Sequence, residues 1–388
     1  MIFKKKTNRR DFMVGCSAAI AAMAGSKITS TAFADPADEP NQEILVLIFL
    51  RGGCDGLNFV VPQAGADRAF YEAERQDLII PAGDLDTLGT MSGYNGASDI
   101  QLGLHPQAQP MHELFQNGNL GVIHAAGLDY GSRSHFDMME FIERGTPGDK
   151  GTATGWLTRH LQSSPSLPTE IIAPALAIGS STPTSLLASQ EAIATTSLND
   201  FTFNRGDSTW RNAQRVALRN LYSGQNTWLH EAGVQAMNAV DIIEAQDLSY
   251  SPANGAQYPS GSFGNDLEAI AQVIKLQLGL RVATVDLGGW DTHQNQGDNS
   301  GGNFGGMISN LANGLHAFYT DLDGAGDQNY NNRVTTVVMT EFGRKLIMNA
   351  SDGTDHGHGS IMFVMGGQVN GGVYGQWPTE FYMVVYLR

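Results

Sequence analysis

The sequence predicts an α/β fold: a mainly parallel sheet flanked by helices, with a largely helical insertion over residues 160–262. Three observations lead there. Apolar runs of strand length recur along the chain, amphipathic stretches of helical spacing separate them, and glycine-rich polar turns follow the runs directly. Residues 160–262 interrupt this rhythm, being richer in Ser, Thr, Asn and Gln.

Taken in order, Ile44–Leu50 is unbroken apolar, as a strand buried on both faces requires. Arg51-Gly52-Gly53-Cys54-Asp55-Gly56-Leu57-Asn58 follows, and its paired glycines permit a tight turn. Residues 105–117 read as a short helix, with Met111, Leu114 and Phe115 on one side and Gly118 as its stop. Leu120–Ala126 is a second buried strand, and residues 132–143 form a helix with Phe136, Met139 and Ile142 on its apolar face. Within the inserted block, residues 210–247 are mainly helical and residues 249–264 are rich in Ser, Pro and Gly. Helical spacing returns with Leu267, Ile270, Ile274 and Leu278, ended by Gly279, and residues 281–287 make a strand. Ile308, Leu311, Leu315, Phe318 and Leu322 mark an amphipathic helix. Val334–Thr340 is a β-branched strand running into Glu341-Phe342-Gly343-Arg344, and residues 361–365 are the last clear strand.

The N-terminus has a different character. Lys4, Lys5, Lys6, Arg9 and Arg10 make a basic start, and Thr7-Asn8-Arg9-Arg10-Asp11-Phe12-Met13 resembles a twin-arginine export signal. An Ala-rich apolar stretch follows, then the small-x-small site Ala32-Phe33-Ala34. Residues 1–34 are therefore expected to be a removable signal and residues 35–388 the folded domain, handled by the twin-arginine export machinery and delivered to a bacterial periplasm or the exterior. The apolar stretch is short for a span of about 20 residues, and no later segment is long and apolar enough to cross a bilayer.

The whole chain holds 23 basic and 39 acidic residues. Loss of the signal removes six basic residues and Asp11, leaving 17 against 38, a net charge of −21. Such a surface repels nucleic acid and anionic membrane. Cys16 leaves with the signal, so Cys54 stands alone and no disulfide forms within the mature chain.

Two segments concentrate metal-binding side chains: Gly288-Gly289-Trp290-Asp291-Thr292-His293 and Asp355-His356-Gly357-His358. Carboxylates and imidazoles gathered at one point suit divalent cations. Each segment follows an apolar run, and ligands of open α/β sheets bind beyond the carboxyl ends of strands. Asp291 and His293 are two apart, so in extended backbone they face the same way, as do His356 and His358. Asp55 either joins such a site or caps its own turn. Ser134 is a candidate nucleophile at a helix start, although Ser134-x-x-Asp137 is also a capping box. Arg133 and Arg51 are candidate oxyanion partners. His135 is a ligand or a packed imidazole, and Glu341 a ligand or an orienting group behind one.

Read together, Leu45 to Asn58, Ser132-Arg133-Ser134-His135-Phe136, Gly288 to His293, Glu341 to Arg344 and Thr354-Asp355-His356-Gly357-His358-Gly359 resemble the domain-of-unknown-function family 1501. That family is similar to the alkaline-phosphatase-like superfamily of phosphatases, sulfatases and phosphoglycerate mutases. The resemblance implies an alkaline-phosphatase-like fold around two divalent ions: zinc suits the ligand mixture, with manganese, magnesium and calcium as other choices. It assigns Asp55, Asp355 and His356 to one ion, in touch with Ser134, and Asp291, His293 and His358 to the other. The implied activity is hydrolysis of an anionic phosphate or sulfate ester. The alternative is a non-catalytic metal-binding or envelope assembly protein that keeps the fold. Asp291 and His293 sit closer together than in that superfamily, and the last His follows the Asp-His pair sooner. Residues 379–388 do not resemble the family's usual tail, so a truncated or frameshifted C-terminus is expected.

Overall fold

The computed structural model describes residues 43–377, except 91, 94–99, 129, 164–172, 190, 198–207, 225–226, 228–229, 231–232, 235–236, 238–239, 242, 244–248, 299–301 and 376. The signal expected at 1–34 and the atypical tail at 379–388 lie outside the described residues. Among the described residues, no helix is long and apolar enough to cross a membrane.

The chain begins with β1 (Ile44–Leu50), a single helical turn α1 (Gly56–Phe59), β2 (Val60–Pro62) and α2 (Gly65–Glu74). Then come β3 (Asp86–Thr90), β4 (Ser92–Gly93), β5 (Gln101–Leu104), α3 (Gln109–Gln116), β6 (Leu120–Ala126) and α4 (His135–Arg144). The middle holds α5 (Trp156–Ser163), β7 (Ala175–Ile178), β8 (Ala192–Thr195) and α6 (Ser208–Tyr222). The remainder is α7 (Ser262–Lys275), β9 (Val282–Leu287), α8 (Asn303–Leu322), β10 (Val334–Thr340), β11 (Arg344–Met348), β12 (Thr354–His356), β13 (Ser360–Gly366) and β14 (Gly372–Gly375).

Two units divide the chain. The larger comprises residues 43–152, 252–271 and 284–388. Its main sheet runs in the order β4-β14-β6-β13-β10-β1-β9. β1 and β10 pair in parallel from Ile44 opposite Val334 to Leu50 opposite Thr340. β14 is parallel to β6 and β4, while β13 runs antiparallel to both β10 and β6. The fold is thus α/β with a mainly parallel sheet flanked by helices. The boundaries of β1, β6 and β10 are those the apolar runs predict. A second sheet of order β2-β5-β3 and the antiparallel pair β11-β12 complete this unit.

The smaller unit contains residues 153–251 and 272–283. Here the expectation of a largely helical block needs amending. β7 and β8 form a parallel pair from Ala175 opposite Ala192 to Ile178 opposite Thr195. Ala175–Ile178 is an apolar run of four residues and β8 one of three closed by Thr195, enough for strands but too short to stand out in a polar block.

Helix placement follows side-chain burial. In α8, Ile308, Leu311, Leu315, Phe318 and Leu322 are all buried, as their spacing predicts. In α4 the predicted face holds only in part: Ile142 is buried, but Phe136 is 82% exposed, and Met138, Phe141 and Glu143 complete the buried side. Met138 and Phe141 pack with Phe342 and Leu128. The buried side also takes in the acidic Glu143, which Arg51 holds through bonds of 2.9 and 3.2 Å. A pattern built on apolar residues alone cannot register that pair.

Candidate metal centre

The sheet delivers four segments to one place. Arg51 N–H donates to Leu287 O (2.9 Å), so the turn after β1 lies beside the turn after β9. Glu341 directly follows β10 and accepts from Gly52 N (2.9 Å). The hairpin β11–β12 folds back with Arg344 opposite His356. Thr354 N donates to Thr292 O (3.0 Å), which stitches the hairpin to the 290–293 turn. Gly52 makes the close approach feasible: its φ is +127°, and a Cβ there would stand 2.4 Å from Asp291 N.

His135, Asp291 and His356 come together with one ligand atom from each inside 4.8 Å. His293 joins from the side: its Nε2 is 2.8 Å from His356 Nε2 and 3.1 Å from Asp291 Oδ1. His356 Nε2 lies 3.2 Å from Asp291 Oδ1, and His135 Nε2 lies 3.4 Å from Asp291 Oδ2.

Each imidazole has its other nitrogen anchored. His135 Nδ1–H donates to Glu341 Oε1 (2.7 Å), His293 Nδ1–H to Asp355 Oδ1 (3.2 Å), and His356 Nδ1–H to Arg133 O (2.9 Å). These partners assign the tautomers, leaving three Nε2 lone pairs directed at the same region as a carboxylate. His135 Nε2 is buried without a hydrogen-bond partner. Two bare ring nitrogens at 2.8 Å repel unless a proton or a cation lies between them. Imidazole nitrogens gathered around one carboxylate are a donor set that suits a borderline divalent ion such as zinc.

Arg344 secures the arrangement and is 2% exposed. Its Nε donates to Gly53 O (2.6 Å), its Nη1 to Thr354 O (2.9 Å), and its Nη2 to Trp290 O (3.1 Å), Asp291 Oδ1 (2.6 Å) and Gly52 O. Burial raises the pKa of Asp291, but the hydrogen bond and charge of Arg344 outweigh it and hold the carboxyl below its ordinary range. Asp355 is also lowered, chiefly by the Asn349 amide and also by His293. Burial lowers the pKa of His356 and so favours its neutral, ligating form.

The structure separates the other sequence candidates from this group. Asp55 is fully buried and saturated: Arg75 bonds both of its oxygens, Gln296 Nε2 donates at 2.6 Å, and Asn58 N at 3.4 Å. It caps α1 and neutralises Arg75 instead of facing the imidazoles. His358 Nε2 accepts from Arg133 Nε at 3.3 Å, so its lone pair is engaged elsewhere. Ser134 is the N-cap of α4, its Oγ accepting from Asp137 N at 3.5 Å. Arg51 is held by Glu143 and Asp286 and lies over Phe49, which leaves no fork for an anion. Asp355 and Glu341 stand behind imidazoles as orienting groups, whereas His135 stands within the cluster. Arg75, Gln296 and Arg344 escaped the sequence reading. Only Arg344 carried a signal, as the last residue of a motif already noted.

No curated protein matches the chain significantly. Among solved structures, "Crystal structure of Ps i-CgsB" is similar at 10% identity, covering 86% of this chain and 68% of that chain with a TM-score of 0.34, a similarity too low to support any argument. A family model described as "Protein of unknown function (DUF1501)" matches residues 97–386, well over half of the chain, and the chain belongs to that family.

Proposed function

We propose that His135, Asp291, His293 and His356 hold one divalent cation, zinc for preference, and that the chain is a hydrolase of phosphate or sulfate esters with an alkaline-phosphatase-like plan. The observation that carries this reading is that the Nε2 atoms of His135, His293 and His356 lie 3.4, 3.1 and 3.2 Å from Asp291 oxygens while every Nδ1 is occupied. The expected pair of ions narrows to one, because Arg75 takes up Asp55 and Arg133 engages His358. A bound divalent ion supplies Lewis acidity and lowers the pKa of water. Glu341 and Asp355 hold the tautomers of His135 and His293. Arg133 fixes His356 through its carbonyl and sets a guanidinium beside His358, where it would meet the oxygens of an anionic ester. Ser134 serves as a helix cap, so attack on the ester falls to water. Export by the twin-arginine route belongs to the same proposal and rests on Arg9 and Arg10 within a basic, then apolar, leader.

The test is elemental analysis of the zinc-supplemented protein, joined to turnover of a panel of phosphate mono- and diesters and sulfate esters by wild type, His356→Ala and Ser134→Ala. One tightly held ion, activity lost in His356→Ala and activity kept in Ser134→Ala are expected. Tight zinc without turnover of any ester would transfer the reading to a metal-binding or assembly protein. No retained metal would end it.

A further inference from the structure

Asp291 is the one carboxylate in the proposed ligand group, and a buried cation already matches its charge. Arg344 Nη2 lies 2.6 Å from Asp291 Oδ1, and the Arg344 side chain is 0% exposed. The other two carboxylates near the group are turned away from it. Glu341 is fully buried, with Oε1 bonded by Gly52 N and His135 and Oε2 by Thr340 Oγ1. Asp355 Oδ1 faces His293 and Asn349, and its Oδ2 is 3.7 Å from Lys345 Nζ.

We infer that Arg344 is a specificity-determining residue that makes this site select an imidazole-preferring transition ion and exclude magnesium and calcium. The inference rests on the reading of the cluster as a cation site. Calcium collects six to eight oxygens and often clasps a carboxylate through both atoms, while magnesium demands an octahedron built mostly of oxygen. Here three imidazoles surround one carboxylate, and the guanidinium opposes a two-oxygen clasp by holding Oδ1. The positive charge of Arg344 also offsets the one negative charge that a hard cation would rely on. Neutral imidazole nitrogen retains its affinity for zinc under those conditions.

The chelator-stripped wild-type chain is titrated with zinc, magnesium and calcium chlorides by calorimetry, and with cobalt(II) chloride followed by its visible spectrum. Saturable zinc binding, no saturable magnesium or calcium binding, and the intense bands of four-coordinate cobalt are expected. Arg344→Gln is expected to reduce the zinc-over-calcium preference by about 10- to 100-fold. Arg344→Lys, which keeps a charge beside Asp291, is expected to retain it. Magnesium or calcium binding as tight as zinc, the weak spectrum of six-coordinate cobalt, or an unchanged preference in folded Arg344→Gln overturns the inference and leaves the cation reading standing. Failure of all four ions to bind overturns both. If neither variant folds, the wild-type arms still overturn the inference should magnesium or calcium bind as tightly as zinc.

Discussion

Asp55 and Asp291 both follow a strand and a pair of glycines, and both lie against an arginine, yet their surroundings give them different work. Asp55 is fully buried, with Arg75, Gln296 and Asn58 filling its acceptor positions. Asp291 keeps a side chain 47% exposed, and Arg344 approaches only one of its oxygens. Its other oxygen, Oδ2, faces His135 Nε2 at 3.4 Å, while His293 and His356 Nε2 lie 3.1 and 3.2 Å from the oxygen that Arg344 holds. Position after a strand brings a carboxylate to the right edge of the sheet, but unspent acceptor capacity decides whether it is available for chemistry.

The largest effect that would sharpen this contrast is expected at Asp55. Replacing it with Ala strands the buried Arg75 guanidinium and should cost about 3–5 kcal/mol of stability, read from urea denaturation. Zinc binding by whatever fraction folds should be unchanged, and a folded Asp55→Ala protein that no longer binds zinc would place Asp55 among the ligands. His356→Ala should show the opposite profile. Zinc affinity falls by at least about 100-fold, or roughly 2.7 kcal/mol, with a metal-free melting temperature close to that of wild type. Glu341→Gln keeps a hydrogen-bond acceptor for His135 but loses the charge behind it, and should weaken zinc by about 10- to 100-fold in calorimetry.

A pH titration probes the same contrast. Zinc binding requires neutral imidazoles, so affinity should be flat above the ordinary imidazole range. As pH falls through that range it should drop about tenfold per unit for each ring that must lose a proton. Burial lowers the His356 pKa, so that ring stays neutral and able to ligate to a lower pH than an ordinary imidazole. A profile rising toward acid would contradict the tautomers assigned above. The smallest effect is expected for Ser134→Ala, a loss of about 1 kcal/mol for a helix cap and no change in zinc affinity. A collapse of ester turnover in that variant alone would restore Ser134 as a nucleophile.

Much of this was legible in the linear chain because it depends on local pattern. Ile44–Leu50, Leu120–Ala126 and Val334–Thr340 are apolar enough to declare themselves as strands, and the α8 stripe is regular. The turns holding Asp291, His293 and Glu341 could be nominated for the same reason, since each follows such a run, whereas His356 was marked by its clustering with Asp355 and His358. What escaped was long-range pairing. Gln296 reaches Asp55 across 241 positions and His135 meets Glu341 across 206, and neither separation leaves a periodic trace. The β11–β12 hairpin was hidden by its brevity and by the register shift between Arg344 and Met348. It turns the expected glycine-rich loop around Asp355 and His356 into extended backbone. The face of α4 was misjudged because Phe136 and Met139 compete with Met138 and Phe141 as apolar positions, and the buried Glu143–Arg51 pair leaves no apolar trace.

The contact between Gly52 and the backbone of Asp291 carries a practical consequence. Because a single methyl group at Gly52 would collide with the neighbouring turn, the turns cannot be redesigned one at a time. Anyone grafting this cluster onto another scaffold would have to transplant the segments after β1, β9 and β10 as one block, with the Arg344 hairpin as the rivet that keeps the block from springing apart.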